Sequence, residues 1–166
     1  MCGIVAYIGD LDPKEVLIEG LKRLEYRGYD SAGVAVHDGD SVAVYKMAGR
    51  IADLERRLSQ VKLRGSLGIG HTRWATHGEP NDINAHPHPD YHNRVFVVHN
   101  GIIENYLTIK KELEKRGVLF RSETDTEVIS NLIAVNYTGD LTEAVIRAAE
   151  LMEGTFGIAV IHKDEP

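Results

Sequence analysis

A thiol stands directly behind the initiator methionine in Met1-Cys2-Gly3-Ile4-Val5, and it is the only cysteine of the chain. Cysteine is small enough that removal of Met1 is expected. The residue left behind would carry both a thiol and a free α-amino group. Unperturbed, the amine titrates near ~7.7–8 and the thiol near ~8.5. Together they supply a nucleophile and a general base suited to neutral pH, as in enzymes with an N-terminal threonine. The competing reading is a small buried hydrophobe in an N-terminal strand, which is how free cysteine ordinarily behaves.

Three further segments carry reactive or ligand-binding side chains. In His71-Thr72-Arg73-Trp74-Ala75-Thr76-His77-Gly78-Glu79-Pro80, Arg73 offers a planar fork suited to a carboxylate. Thr76 and His77 add short-range hydrogen-bonding groups. Alternatively, Arg73 holds the loop through backbone carbonyls and Trp74 is a core aromatic. Val97-Val98-His99-Asn100-Gly101 ends on an amide side chain and a glycine, a pairing that can form an oxyanion hole or an ordinary Asn-Gly turn. Asp125 sits just inside a helix start, where it either complements the helix dipole or binds a ligand ammonium. Asn84-Ala85-His86-Pro87-His88-Pro89 raises the question of a metal, since His71, His77, His92 and His99 are also available. The histidines alternate with prolines and lack a zinc-like ligand spacing, so loop packing is expected and no metal or cofactor is assigned. A thiol nucleophile, an amine base, an oxyanion pair, a carboxylate-binding Arg and an ammonium-binding Asp would suffice to hold a free α-amino acid and attack its side-chain amide.

The elements that must position these groups follow from hydrophobic period and punctuation. Cys2 to Ile8 reads as a buried strand. Asp12-Pro13-Lys14-Glu15 opens a helix, with Leu17, Leu21 and Leu24 on one face. A hairpin is expected in which Val34 and Val36 face Val42 and Val44 across the turn His37-Asp38-Gly39-Asp40. Ile51, Leu54, Leu58 and Val61 mark a second amphipathic helix. Strands are read over Leu67 to Thr76, running into a loop, and over Val95 to His99. A third helix spans about Glu104 to Arg116 and stops at Gly117. Thr124-Asp125-Thr126-Glu127 looks like a reciprocal capping box. Asp140 caps a fifth helix ending near Gly154, and Phe156 to Ile161 reads as a last strand. Hairpins with helices in pairs predict an α+β domain with mostly antiparallel sheets covered by helices, not a doubly wound parallel sheet.

Composition narrows the classes. Hydrophobic content of 43% and charged content of 27% over 166 residues describe one soluble globular domain. With a formal net charge of -6 and Arg56, Arg57, Lys62 and Arg64 read as a solvated helix face, nucleic acid is not an expected partner. No apolar run is long enough for a bilayer, no signal peptide is apparent, and a lone cysteine suits a reducing, cytoplasmic compartment.

The segments MCGIVAYIG, LEYRGYDSAG from Leu24 to Gly33, HTRWATHGEP from His71 to Pro80, NAHPH from Asn84 to His88, VVHNGIIEN from Val97 to Asn105 and SETDTEVI from Ser122 to Ile129 carry a resemblance across nearly the whole chain. The sequence resembles the N-terminal glutaminase domain of the glutamine–fructose-6-phosphate aminotransferase (isomerising) family, the glucosamine-6-phosphate synthases. That implies a class II glutamine amidotransferase with the N-terminal nucleophile hydrolase fold, a four-layer α-β-β-α sandwich. It implies Cys2 as nucleophile with its own α-amine as base, and Asn100 and Gly101 as the oxyanion hole. Arg73, Thr76, His77 and Asp125 then correspond to the L-glutamine pocket, Arg27 to a residue that orders the nucleophile's surroundings, and Trp74 to a gate for ammonia transfer. The family's domain runs past residue 166 and is followed by two sugar isomerase domains. Residues 1–166 are therefore expected to form one C-terminally truncated glutaminase domain with a sheet edge or face left open. Its expected partners are the absent isomerase domains, with room for a homodimer. A glutamine-binding or assembly fragment without activity, another class II amidotransferase and a small zinc protein are the alternatives.

Overall fold

The computed structural model describes residues 2–166. Two antiparallel sheets lie between two layers of helices. Strands β1 (Gly3–Ile8), β2 (Ser31–His37), β3 (Val42–Ala48) and β4 (Leu67–Arg73) form the first sheet, in the order β1-β4-β2-β3. The second contains β5 (His88–Pro89), β6 (Val95–Ile103) and β7 (Gly154–His162), in that order. Helices α1 (Pro13–Lys22) and α2 (Ile51–Ser59) cover the first sheet. Helices α3 (Tyr106–Lys115), α4 (Asp125–Asn136) and α5 (Leu141–Leu151) cover the second. This is the four-layer α+β sandwich that the resemblance implies.

Each layer has a local cause. Asp12 caps α1 by accepting from the Lys14 N–H at 2.9 Å, and Leu17 and Leu21 point from that helix into the core. In α2 the buried face is Ile51, Leu54 and Leu58; Lys62 and Arg64, read as part of the same helix, lie beyond its end. Between the sheets the apolar core is thin: Ala35, Ile69, Phe96, Val98 and Ile161. Strand alternation puts these residues on the inner faces, while Val34, Val36, Val95 and Val97 point to the helices.

Four expectations are corrected. The hairpin turn is Asp38 to Ser41, one residue further along than expected, with Asp38 N–H donating to Ser41 O at 3.0 Å, so Val34 and Val36 pair with Tyr45 and Ala43. A one-residue change of register moves side chains to the other face, which is why Val42 and Val44 join the inter-sheet core. Strand β6 does not stop at His99 but runs through Asn100 and Gly101 to Ile103, with Asn100 opposite Gly157 and Gly101 opposite Phe156. The capping box is one-sided. Thr124 accepts from the Glu127 N–H at 3.4 Å, but the Glu127 carboxylate turns to the N–H groups of Arg121 and Ser122. Strand β1 is an edge strand whose side chains are mostly only partly buried.

At one end of the sandwich the core is polar. His71, His86 and His88 form a run of rings, the first two stacked at 4.0 Å between centroids and the next two edge-on at 4.9 Å. His99 lies beside them, its N–H donating to His86 Nδ1 at 3.3 Å. The segment bearing His86 can approach the first sheet because position 33 is glycine: a Cβ there would lie 2.1 Å from the His86 carbonyl oxygen.

Two consequences are measurable. Burial pushes His71 down to about 4, His86 and His88 well below the usual imidazole value, and His99 below it too. The unfolded chain therefore binds protons first as pH falls. Stability should be full above about pH 6.5 and decline below it by roughly 1.4 kcal/mol per pH unit for each neutral histidine. Urea midpoints at pH 7.5, 6 and 5 should drop steeply across the lower interval; a flat profile would show that these rings are free to protonate. Gly33→Ala should cost about 1–3 kcal/mol, read as a lowered urea midpoint, because the His86 segment must retreat.

Candidate active site

Cys2 immediately precedes β1, and the pairing of Gly3 with Thr72 sets it against the end of β4. The Gly3 N–H donates to Thr72 Oγ1 at 3.0 Å. A Cβ on Gly3 would come within 2.6 Å of the Leu24 side chain, so glycine is what lets the chain enter here. Beyond β4 the Trp74 N–H donates to Cys2 Sγ at 3.2 Å and orients the sulfur. From the other sheet, Asn100 Nδ2 donates to the Cys2 carbonyl oxygen at 3.3 Å. Cys2 is thus held by both sheets. Met1 lies outside the described residues.

A cavity of about 290 Å³ opens at the thiol and is lined by Cys2, Asn100, Gly101, Arg73 and Asp125. Thr76, His77, Trp74 and Arg27 line it as well. Its volume is near the lower end of ligand pockets, roughly 300–1,000 Å³. All of the site residues expected from the sequence therefore come to one hollow.

Their surroundings differ. Arg73 is 4% exposed and donates to the carbonyl oxygens of His77, Gly78 and Glu79. It does hold its own loop, as one of the two readings had it. Those bonds leave up to two of its five donors for a ligand. Burial works against its charge, and the carboxylate of Asp30 is the largest influence in its favour. Asp125, 5% exposed, opens α4 and accepts from the Ile103 N–H at 3.0 Å through Oδ2; its Oδ1 lies 3.9 Å from His99 Nδ1. Thr76 is exposed, within 3.3 Å of His77 Nδ1. The His77 ring packs edge-on against Tyr106 at 5.2 Å. Trp74 is 54% exposed and rests on Gly28, so it is not a core aromatic. Arg27 closes a short 3-10 turn, Glu25–Arg27.

Sequence reasoning passed over Asp30 and underrated His71. The Asp30 N–H donates to the Arg73 carbonyl oxygen at 2.7 Å, and its carboxylate accepts from the Ala75 N–H at 2.5 Å. It clamps the strand end that carries Arg73 and Trp74. Its only signal was its place beside the glycines of GYDSAG. His71 entered only as a metal candidate; in the fold its Nε2 touches Asn100 Oδ1 at 2.9 Å. Among the described residues no group of three or more His, Cys, Asp or Glu side chains could hold a metal ion. A wider hollow of about 750 Å³ lies on the far side of His88, near Lys46 and Glu127. Lys46, pushed down to about 8 by burial, already donates to the carbonyls of Ile83 and Ala85. No helix among the described residues is long and apolar enough to cross a membrane.

Comparison with known proteins agrees with this geometry. The family profile described as a glutamine amidotransferase domain matches residues 71–166. Glutamine–fructose-6-phosphate aminotransferase [isomerizing] of Clostridium perfringens is 54% identical over the whole chain, which spans 27% of that relative. The enzyme of the same name from Symbiobacterium thermophilum is 57% identical, again over 27% of its length. The chain thus spans about 27% of the length of these curated relatives. Among solved structures, glutamine phosphoribosylpyrophosphate amidotransferase from B. subtilis superposes with a TM-score of 0.84 at 26% identity, covering 98% of this chain and 35% of that one. An allosteric regulatory enzyme of purine biosynthesis gives 0.85 at 25% identity, covering 98% and 36%. The four-layer sandwich is the N-terminal nucleophile hydrolase fold of the class II amidotransferases. A Cys2-centred cavity on that fold, together with the family match over more than half of the chain, leads to one conclusion: the chain belongs to the glutamine amidotransferase domain family.

Proposed function

We propose that the cavity hydrolyses L-glutamine to glutamate and ammonia. Arg73 receives the α-carboxylate and Asp125 the α-ammonium, with Thr76 and His77 at the rim. The Cys2 thiol loses its proton to the α-amine freed by Met1 removal, and Sγ attacks the side-chain amide carbon. Charge developing on the amide oxygen is met by Asn100 Nδ2–H and the Gly101 N–H. Collapse breaks the C–N bond, the protonated α-amine of Cys2 returns its proton to the leaving nitrogen, and ammonia departs. The γ-glutamyl thioester left on Cys2 is hydrolysed by a water that the same amine deprotonates. In the longer relatives the name supplies the acceptor of the nitrogen, fructose 6-phosphate. For this chain we take the same destination, glucosamine 6-phosphate made in sugar isomerase domains of a longer cytoplasmic enzyme, with Arg27 and Trp74 at the exit.

The observation that carries this reading is the joint hold on Cys2, with Trp74 N–H on its sulfur and Asn100 Nδ2 on its carbonyl, at the mouth of a cavity that also meets one buried cation and one buried carboxylate. A thiol, an oxyanion donor and two opposite charges suit an α-amino acid with a side-chain amide better than any other substrate class.

Asn100→Ala should lower kcat for glutamine by roughly 10²–10³, since the charge it meets develops only in the tetrahedral intermediate. Glutamine KM should change far less. A raised KM at unchanged kcat would make Asn100 a binding residue. Arg73 has two tasks to separate, so wild type and Arg73→Ala should be compared on glutamine and on a γ-amide without the α-carboxylate. Beyond any loss common to both amides, glutamine should lose a further 10–150-fold, roughly, in kcat/KM, the worth of a charge-assisted pair. Equal losses on both would mean that Arg73 serves only the loop.

A further inference from the structure

An asparagine can serve an oxyanion only if its amide is the right way round, with nitrogen and not oxygen turned to the reacting centre. The two ends of a primary amide have nearly the same shape, so packing does not choose between them; hydrogen-bond partners do. At Asn100 the choice is made by His71. Its Nε2 lies 3.0 Å from the backbone carbonyl oxygen of His99 and 2.9 Å from Asn100 Oδ1. A backbone carbonyl can only accept, so Nε2 carries the ring proton. A second donor facing that proton would be repelled, and the amide must therefore offer its oxygen. At the other end Asn100 Nδ2 donates to the Cys2 carbonyl, again a group that can only accept. Both ends give the same orientation.

We propose that His71 is a positioning residue for the amide-cleaving chemistry: its Nε2–H holds Asn100 Oδ1, so that the amide nitrogen faces Cys2 with its second hydrogen available to the oxyanion. This rests on the reading of Asn100 as an oxyanion donor. The rest of the ring's surroundings agree with the assigned tautomer. His71 Nδ1 is buried and has no hydrogen-bond partner among the described residues; a proton there would be an unsatisfied buried donor, a rarer and costlier state than an unsatisfied acceptor. Burial, which holds the ring near a pKa of about 4, keeps it neutral at working pH. The stacked His86 ring fixes its plane, 14° from parallel. The contact itself follows from strand alternation. Ile69 and His71 share the inner face of β4, and Phe96, Val98 and Asn100 share that of β6, so the polar pair continues the apolar core to its end.

The test is made in the protein as its gene encodes it. His71→Phe keeps a flat ring and removes the donor; His71→Gln restores a donor. The Phe variant should lower kcat about 10–100-fold with glutamine KM within about twofold, and the Gln variant should recover most of that loss at a similar melting temperature. Added to Asn100→Ala, His71→Phe should cause no further loss, because no amide remains to be oriented. Multiplying losses in the double variant, or a KM effect as large as the kcat effect, would overturn the proposal. Should the Phe variant not fold, His71→Gln against the shorter His71→Asn decides, and equal kcat values would overturn it. If Asn100→Ala alone leaves kcat unchanged, the oxyanion reading fails first; if it falls as expected while His71→Phe retains kcat, this inference alone fails.

Discussion

The antiparallel register between β1 and β4 governs the molecule. With Gly3 opposite Thr72, the residue before the strand arrives beside the Trp74 N–H and within reach of Asn100. A slip of one residue would turn every side chain of β1 to the opposite face and carry the thiol away from both partners. Strand β4 lies between β1 and β2, so its end is fixed from two sides. Asp30, just ahead of β2, adds two bonds to that end through Arg73 and Ala75. A rigid strand terminus is a good place for chemistry, since its side chains keep their positions without needing the ligand to order them.

The inter-sheet space is used unevenly. Apolar side chains fill most of it, and that burial drives the sheets together. Towards the thiol they give way to His71, Asn100, His86 and His88, whose hydrogen bonds must replace the water lost on folding. Burial of these rings lowers their pKa values and makes the fold sensitive to acid, yet the network fixes tautomers and amide orientations that an apolar core could not specify. Asn100 and His86 belong both to this end of the core and to the lining of the cavity.

Arg73 ties its own loop and still has donors to spare for the carboxylate we propose it receives. Its guanidinium ties three consecutive carbonyls of the loop that it shares with Thr76 and His77. The planar fork has donors on both edges, so a loop contact on one side does not rule out a carboxylate on the other. A lysine here, with one point of charge, could not divide itself this way.

Much was legible in the sequence. A thiol at position 2, Arg73 in a strand that ends in a loop, and Asn100-Gly101 after a run of valines stood out by residue type, and the fold brings them to one cavity. The helices and most strands were legible too, since Leu17 with Leu21 and Ile51 with Leu54 and Leu58 repeat at helical spacing. What sequence could not decide was distance across the fold. Asn100 is 98 residues from Cys2 and 29 from His71, and no local pattern records either contact. The placement of one turn, Asp38 to Ser41, chose which valines face the helices. The second partner of Glu127 chose whether a capping box closed. Local propensity sets which elements form, but register and layer packing, which are long-range, bring Asn100 Oδ1 to His71 Nε2 and Asn100 Nδ2 to the Cys2 carbonyl.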